Sequence, residues 1–163
     1  MRPVLGRSTK RRVAFPLAVL LAGALVLGAP RPSRAGASTL RTRLLLLINA
    51  ARERSGVAPL RLAERLSDDA ERHTRAMIRR DRLFHTEDLA SVLRPYRWRV
   101  SGEVVGCALR LHGLVRAWLG SPEHRSILLD PRFRRVGLGP VASREGRSCG
   151  PGLRVWATAI LYG

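Results

Sequence analysis

The sequence predicts an α+β fold, and three observations carry that expectation. Two long segments of helical periodicity come first, short strand-like and helical segments follow, and no strand–helix–strand unit repeats along the chain. The 163 residues are enough for one domain of ordinary size and hardly for two.

The first 37 residues stand apart from this domain. Met1 to Arg12 carries five basic residues and no acid, Val13 to Ala29 is apolar apart from Pro16 and two glycines, and the exit ends in Ala35-Gly36-Ala37. A positive start, an apolar centre and a small-x-small exit predict a cleaved secretory signal over 1–37, with the folded domain over 38–163. The alternative is an uncleaved membrane anchor, for which the apolar run is slightly short of the about 20 residues needed to span hydrocarbon. No cysteine follows the run, which argues against a lipoprotein.

Within the domain, Ser38 is placed to cap a helix reaching Arg54, with Leu40, Leu44, Leu47, Ile48 and Ala51 forming one apolar stripe. Ser55-Gly56 ends it and Pro59 prevents its continuation. A second helix is predicted over Leu62 to Arg82, with Leu66, Ala70, His73 or Thr74, Met77 and Ile78 turned inward. Leu83 to Tyr96 reads as a loop with a short helix across Asp88 to Leu93. Trp98, Val100 and Val104 suggest a strand that Gly102 weakens. Leu111, Leu114, Val115 and Trp118 restore helical spacing until Gly120. Ser121-Pro122 then opens another short helix, serine capping and proline in the first turn. Arg134 to Val141 and Leu153 to Leu161 are expected strands, joined by the glycine-rich stretch Ser143 to Gly152.

The net charge of +18 rests on 30 basic residues, of which Lys10 is the one lysine. The arginines are scattered along periodic helices, without a basic block interleaved with aromatics. This pattern favours a solvated basic surface over nucleic-acid binding, and it leaves an anionic wall polymer or membrane as a partner class. Cys107 and Cys149 are the two cysteines. In an exported chain a disulfide between them is the default expectation.

Six segments in order resemble the SCP-like domains of the CAP superfamily. Leu47-Ile48-Asn49-Ala50-Ala51-Arg52 with Ser55 to Leu60 is similar to the opening helix and turn. Phe84-His85 lies where the family places its first histidine, and Gly102-Glu103 resembles its Gly-Glu-Asn signature. Ala117 to Arg125 resembles the tryptophan-to-histidine segment, Phe133 with Val136 to Gly139 the next strand, and Val155 to Thr158 the last. The resemblance implies a three-layer α-β-α sandwich around a small antiparallel sheet. It also implies a cleft where histidines and glutamates converge, sometimes with zinc or another divalent ion, and sterol, lipid or peptide ligands in some members. Two positions depart from the pattern. Val104 stands where the family has asparagine, and Val155-Trp156 stands where eukaryotic members carry a histidine before an aromatic.

His85, Glu103 and His124 supply imidazole and carboxylate ligands of the kind zinc accepts, from three distant segments. His124 would lie in the first turn of its helix, where the positive end disfavours an imidazolium. Ser121 and Glu123 are expected beside these three in a ligand cleft. His73 and His112 have no counterpart in the family pattern; His73 reads as packing or surface. Trp118 and Trp156 read as core.

The favoured function is a secreted or surface binding module for a small lipid-like or peptide ligand, with a divalent metal admitted as cofactor. The alternative is a metal-dependent hydrolase acting on peptide or cell-wall material, with Glu103 or a metal-bound water as the reacting group. The sequence holds no nucleophile elbow and no His-Glu-x-x-His helix. Adhesion to an anionic wall or membrane needs only the charge. N-terminal sequencing of the exported protein should find a new terminus after Ala35 or Ala37; an intact Met1 in the membrane fraction would replace the signal with an anchor.

Overall fold

The computed structural model describes residues 34–163, so the predicted signal segment lies outside the described residues except at its exit. Helix α1 spans Arg34–Arg54. It starts ahead of Ser38, which therefore lies inside the helix rather than capping it. Apart from Gly36, nothing in this stretch opposes helix, and one glycine costs only about 1 kcal/mol. Leu44, Ile48 and Ala51 are buried along the predicted stripe. The helix stops at Gly56, whose φ of +69° is the left-handed end that glycine supplies without strain.

A two-residue strand β1 (Arg61–Leu62) follows, then helix α2 (Glu64–Arg79). The second helix is shorter at both ends than its periodicity suggested. Leu62 is taken by β1, and Asp81 turns the chain away with a φ of +47°. Of the two inward candidates, Thr74 is fully buried and donates to the hydroxyl of Thr158 at 2.9 Å. Helix α3 (Leu89–Leu93) is capped by Asp88, which accepts from the Ser91 N–H at 2.9 Å. Strand β2 (Ser101–Ala108), helices α4 (Leu111–Gly120) and α5 (Pro122–Leu128), and strands β3 (Arg135–Leu138), β4 (Val141–Ser143) and β5 (Arg154–Tyr162) complete the order. The expected strand from Arg134 to Val141 is thus two strands. One 3-10 turn, Arg147–Cys149, lies in the expected loop.

The sheet runs β1-β3-β5-β2, with β4 also paired to β5. All pairs are antiparallel except the short parallel contact of β1 with β3. Alternation along the strands separates two faces. Val104, Val136, Leu138, Ala157, Ala159 and Leu161 pack with Leu44, Ile48, Leu114 and Trp118, the layer of α1 and α4. Val105 and Trp156 pack with Met77 and Ile78 of α2, and Ile160 packs with Leu66 and Ala70. A Cβ on Gly137 would lie 2.5 Å from the Leu66 side chain, and one on Gly139 would collide with the backbone of Ala70 and Glu71. Helix α2 therefore lies directly on β3. The result is the predicted α-β-α sandwich, with both Trp118 and Trp156 in its core.

Arg52 is fully buried in the α1 layer. Its guanidinium donates to the carbonyls of Ala58 at 2.7 Å, Leu128 at 2.7 Å, Asp130 at 3.2 Å and Phe133 at 3.2 Å. Burial, and then the charge of Arg134, push its pKa below the ordinary arginine value, while Asp130 acts in the other direction. Cys107 and Cys149 form the expected disulfide, Cα to Cα 6.1 Å, tying β2 to the 3-10 turn across 42 residues.

Two stability predictions follow from these ties. Arg52→Met should lower unfolding free energy by about 3 kcal/mol or more in urea melts, since four backbone carbonyls, those of Leu128 and Phe133 in buried bonds, lose a charged donor; a loss below about 1 kcal/mol would contradict that role. Reduction of Cys107–Cys149 should cost about 4 kcal/mol on the chain-entropy account, and non-reduced mass should fall two protons short of the reduced value.

Candidate functional site

Glu103 sits in β2, the edge strand of the sheet, opposite Ile160 of β5. Its odd-numbered position turns it to the α2 face, as Val105 is, while Val104 is buried on the other face among the α1-layer residues. The residue following Glu103 thus does not face the site. Gly102 leaves room on that far face: a Cβ there would approach Ile127 to 2.9 Å and Phe133 to 3.2 Å.

The Glu103 side chain is only 4% exposed, and a carboxylate so buried needs donors. Three are present. The Thr86 N–H donates to Oε2 at 2.9 Å, the Thr86 hydroxyl donates to Oε1 at 2.6 Å, and His85 Nδ1–H donates to Oε2 at 2.8 Å. His85, 59% exposed, therefore presents its Nε2 outward from a ring whose orientation Glu103 holds. Carboxylates commonly stand behind functional imidazoles in this way.

His73 extends the network, which its sequence position did not indicate. Its Nε2 donates to the Phe84 carbonyl at 2.8 Å and its Nδ1 lies 3.4 Å from the Thr86 hydroxyl. Its ring meets Phe84 edge-on, centroids 4.9 Å apart. Because a carbonyl only accepts, Nε2 carries the proton. The helix periodicity of α2 placed residue 73 at the margin of the inward stripe, the one signal available. Thr86 carried no signal at all, being one hydroxyl in a loop.

His124 arrives from the opposite layer at the start of α5. Ser121 caps that helix, accepting from the His124 N–H at 3.5 Å, and Pro122 follows in the first turn. Burial first, and the neighbouring His85 ring second, hold the His124 imidazole below its ordinary value; Glu123 acts the other way. Ser121 serves the cap, and Glu123 is exposed beside His124.

The donor chemistry defines what metal could fit. Working zinc sites usually take three protein ligands. Both Glu103 oxygens are engaged by Thr86 and His85. Among the described residues, no group of three or more His, Cys, Asp or Glu side chains is placed to hold a metal ion. Of the expected set of His85, Glu103 and His124, His85 and Glu103 are in hydrogen-bond contact. What these residues present is one exposed imidazole, His85, with the Glu103 carboxylate behind it.

Comparison with known proteins agrees with this architecture. Residues 45–160 match the model of the "CAP: Cysteine-rich secretory protein family". The protein YkwD of Bacillus subtilis is 26% identical over 115 residues, 65% of this chain and 44% of that protein. An extracellular SCP-domain protein from Bacillus anthracis superposes over 83% of this chain and 44% of its own, with a TM-score of 0.61 and 21% identity. An outer surface protein from Borrelia burgdorferi covers 74% of this chain and 90% of its own, with a TM-score of 0.56 and 15% identity. The chain thus spans less than half the length of YkwD and of the Bacillus anthracis protein. With the family pattern matched from the first core helix to the last strand, this chain belongs to the cysteine-rich secretory protein family of CAP domains.

Proposed function

We propose that the protein is a secreted or surface-held binding module that takes a polar group of a small lipid-like or peptide ligand between His85 and His124. The observation that carries this reading is the exposed His85 ring, fixed through its Nδ1 by the buried Glu103 carboxylate. A buried charge with three donors is costly to build for packing alone, and here it orients one outward nitrogen next to a second imidazole. The similarity to proteins described as extracellular or outer-surface supports an extracellular setting.

A divalent ion entering this site would be held by His85 and His124, and would supply Lewis-acid polarisation of a ligand oxygen. The hydrolase reading draws less support from the geometry. Glu103 is nearly fully buried and already accepts three hydrogen bonds, so it is not placed to take a proton from a substrate.

Imidazole resonances of His85 and His124, recorded while adding zinc ions, decanoate or a blocked trialanine peptide, test the proposal. At least one probe should shift both rings, and Glu103→Gln should weaken that binding about 10- to 100-fold. If no probe moves either ring, or if binding survives His85→Ala and His124→Ala together, the reading fails. A further outcome concerns pH. His124 should titrate below the ordinary midpoint of about 6.5. As pH falls through that value the unfolded chain takes up the proton first, so His124 subtracts from stability below it. A midpoint above the ordinary value by ring NMR would contradict this.

A further inference from the structure

At one end of the molecule an open groove of about 790 Å³ runs between α1 and the junction of β2 with α4. Leu40, Leu46 and Leu47 line one side, Leu109 and Leu111 the other, with Arg43, Arg110 and His112 among them. Leu46 is 63% exposed and Leu109 62%. One exposed leucine is ordinary, but two in a single groove form a patch that water wets at a cost. Leu153, also exposed, lies two residues outside the Ala108–Val155 pair at the same end of the sheet.

The charge around this patch is of one sign. No Asp or Glu lines the groove, and neither Arg43 nor Arg110 has an ion-pair partner among the described residues. The first turn of α4 has no side-chain cap, so its free N–H groups add to the positive potential there. Leucines ringed by arginines match a surface with an apolar interior and phosphate at its rim, which is an anionic lipid bilayer.

In sequence, the apolar run Val13–Ala29 precedes α1.

We infer that this end of the domain docks on an anionic bilayer, with Leu46 and Leu109 entering the interface and Arg43 and Arg110 against headgroup phosphates. The docking is independent of the His85 site, which faces the other layer at the β2 edge. Cosedimentation of the exported protein with vesicles of phosphatidylcholine, with or without about 30% phosphatidylglycerol, tests it. Every variant carries the same N-terminus, so any contribution from that segment is common to all.

Binding should require the anionic lipid and weaken with salt. Arg43→Ser with Arg110→Ser should reduce partitioning about 25-fold, about fivefold per arginine. Leu46→Ser with Leu109→Ser should reduce it about tenfold or more. Leu83→Ser and Arg97→Ser, exposed residues outside the groove, should leave it unchanged. Equal binding to the zwitterionic vesicles would overturn the proposal, and so would control variants as damaging as the groove variants. Dimers dispersed by the leucine variants, without vesicle binding, would assign the face to a second copy instead.

Discussion

The buried guanidinium of Arg52 holds together parts of the chain that no sheet pairing joins. It rises from α1 and satisfies carbonyls of the turn after α1, of the end of α5 and of the segment leading into β3. Asn49, one turn earlier, does the same on a smaller scale, donating to the Leu60 carbonyl at 3.0 Å and accepting from the Leu60 N–H at 2.8 Å. Leu60, Leu128 and Phe133 are buried where irregular chain meets the core, so without a side-chain partner their backbone groups would be left unsatisfied. An arginine suits the task because its fork of donors serves several acceptors at once and keeps its charge even when desolvated. With α5 pinned at its C-terminal end and β3 fixed beside it, both the start of α5 and the seat of α2 on Gly137 and Gly139 are positioned.

The candidate site inherits its geometry from that framework. β2 is an edge strand, so side chains from both helical layers can reach around it. The loop after α2 brings His85 and Thr86 from one layer, and α5 brings His124 from the other. Glu103 belongs to the α2 face by alternation, and it meets the first two in hydrogen-bond contact. Thr86 does the work that a polar residue after Glu103 would otherwise be expected to do, since position 104 points into the opposite core.

Two surfaces of different chemistry result. The β2 edge presents exposed imidazole over a buried acid, suited to a directional contact with one polar group. The far end of the sheet presents leucine and arginine that has no ion-pair partner among the described residues, suited to a broad contact with no directional demand. The disulfide lies between strand β2 and the hairpin loop, packed beside Val105 and Trp156, and stiffens the sheet that separates the two.

Local periodicity made much of the fold legible. The stripes of α1, α2 and α4, the Ser121-Pro122 start of α5 and the short helix after Asp88 all depend on residues within a few positions of each other, and all appear as expected. Segments in family order gave the sandwich, and the same pattern drew His85, Glu103 and His124 to attention. The start of α1 ahead of Ser38, the two-residue β1, the split of β3 from β4 and the joining of His73 and Thr86 to Glu103 were not legible. Each depends on a partner far along the chain or on the absence of a local signal. Side-chain spacing states which face of an element is apolar, so the sequence by itself determined the elements, their inward faces and the residue types of the site. Which groups actually touch depends on strand register and on how α2 and α5 seat against opposite faces of the sheet. Only the tertiary structure could therefore decide that Glu103 holds His85.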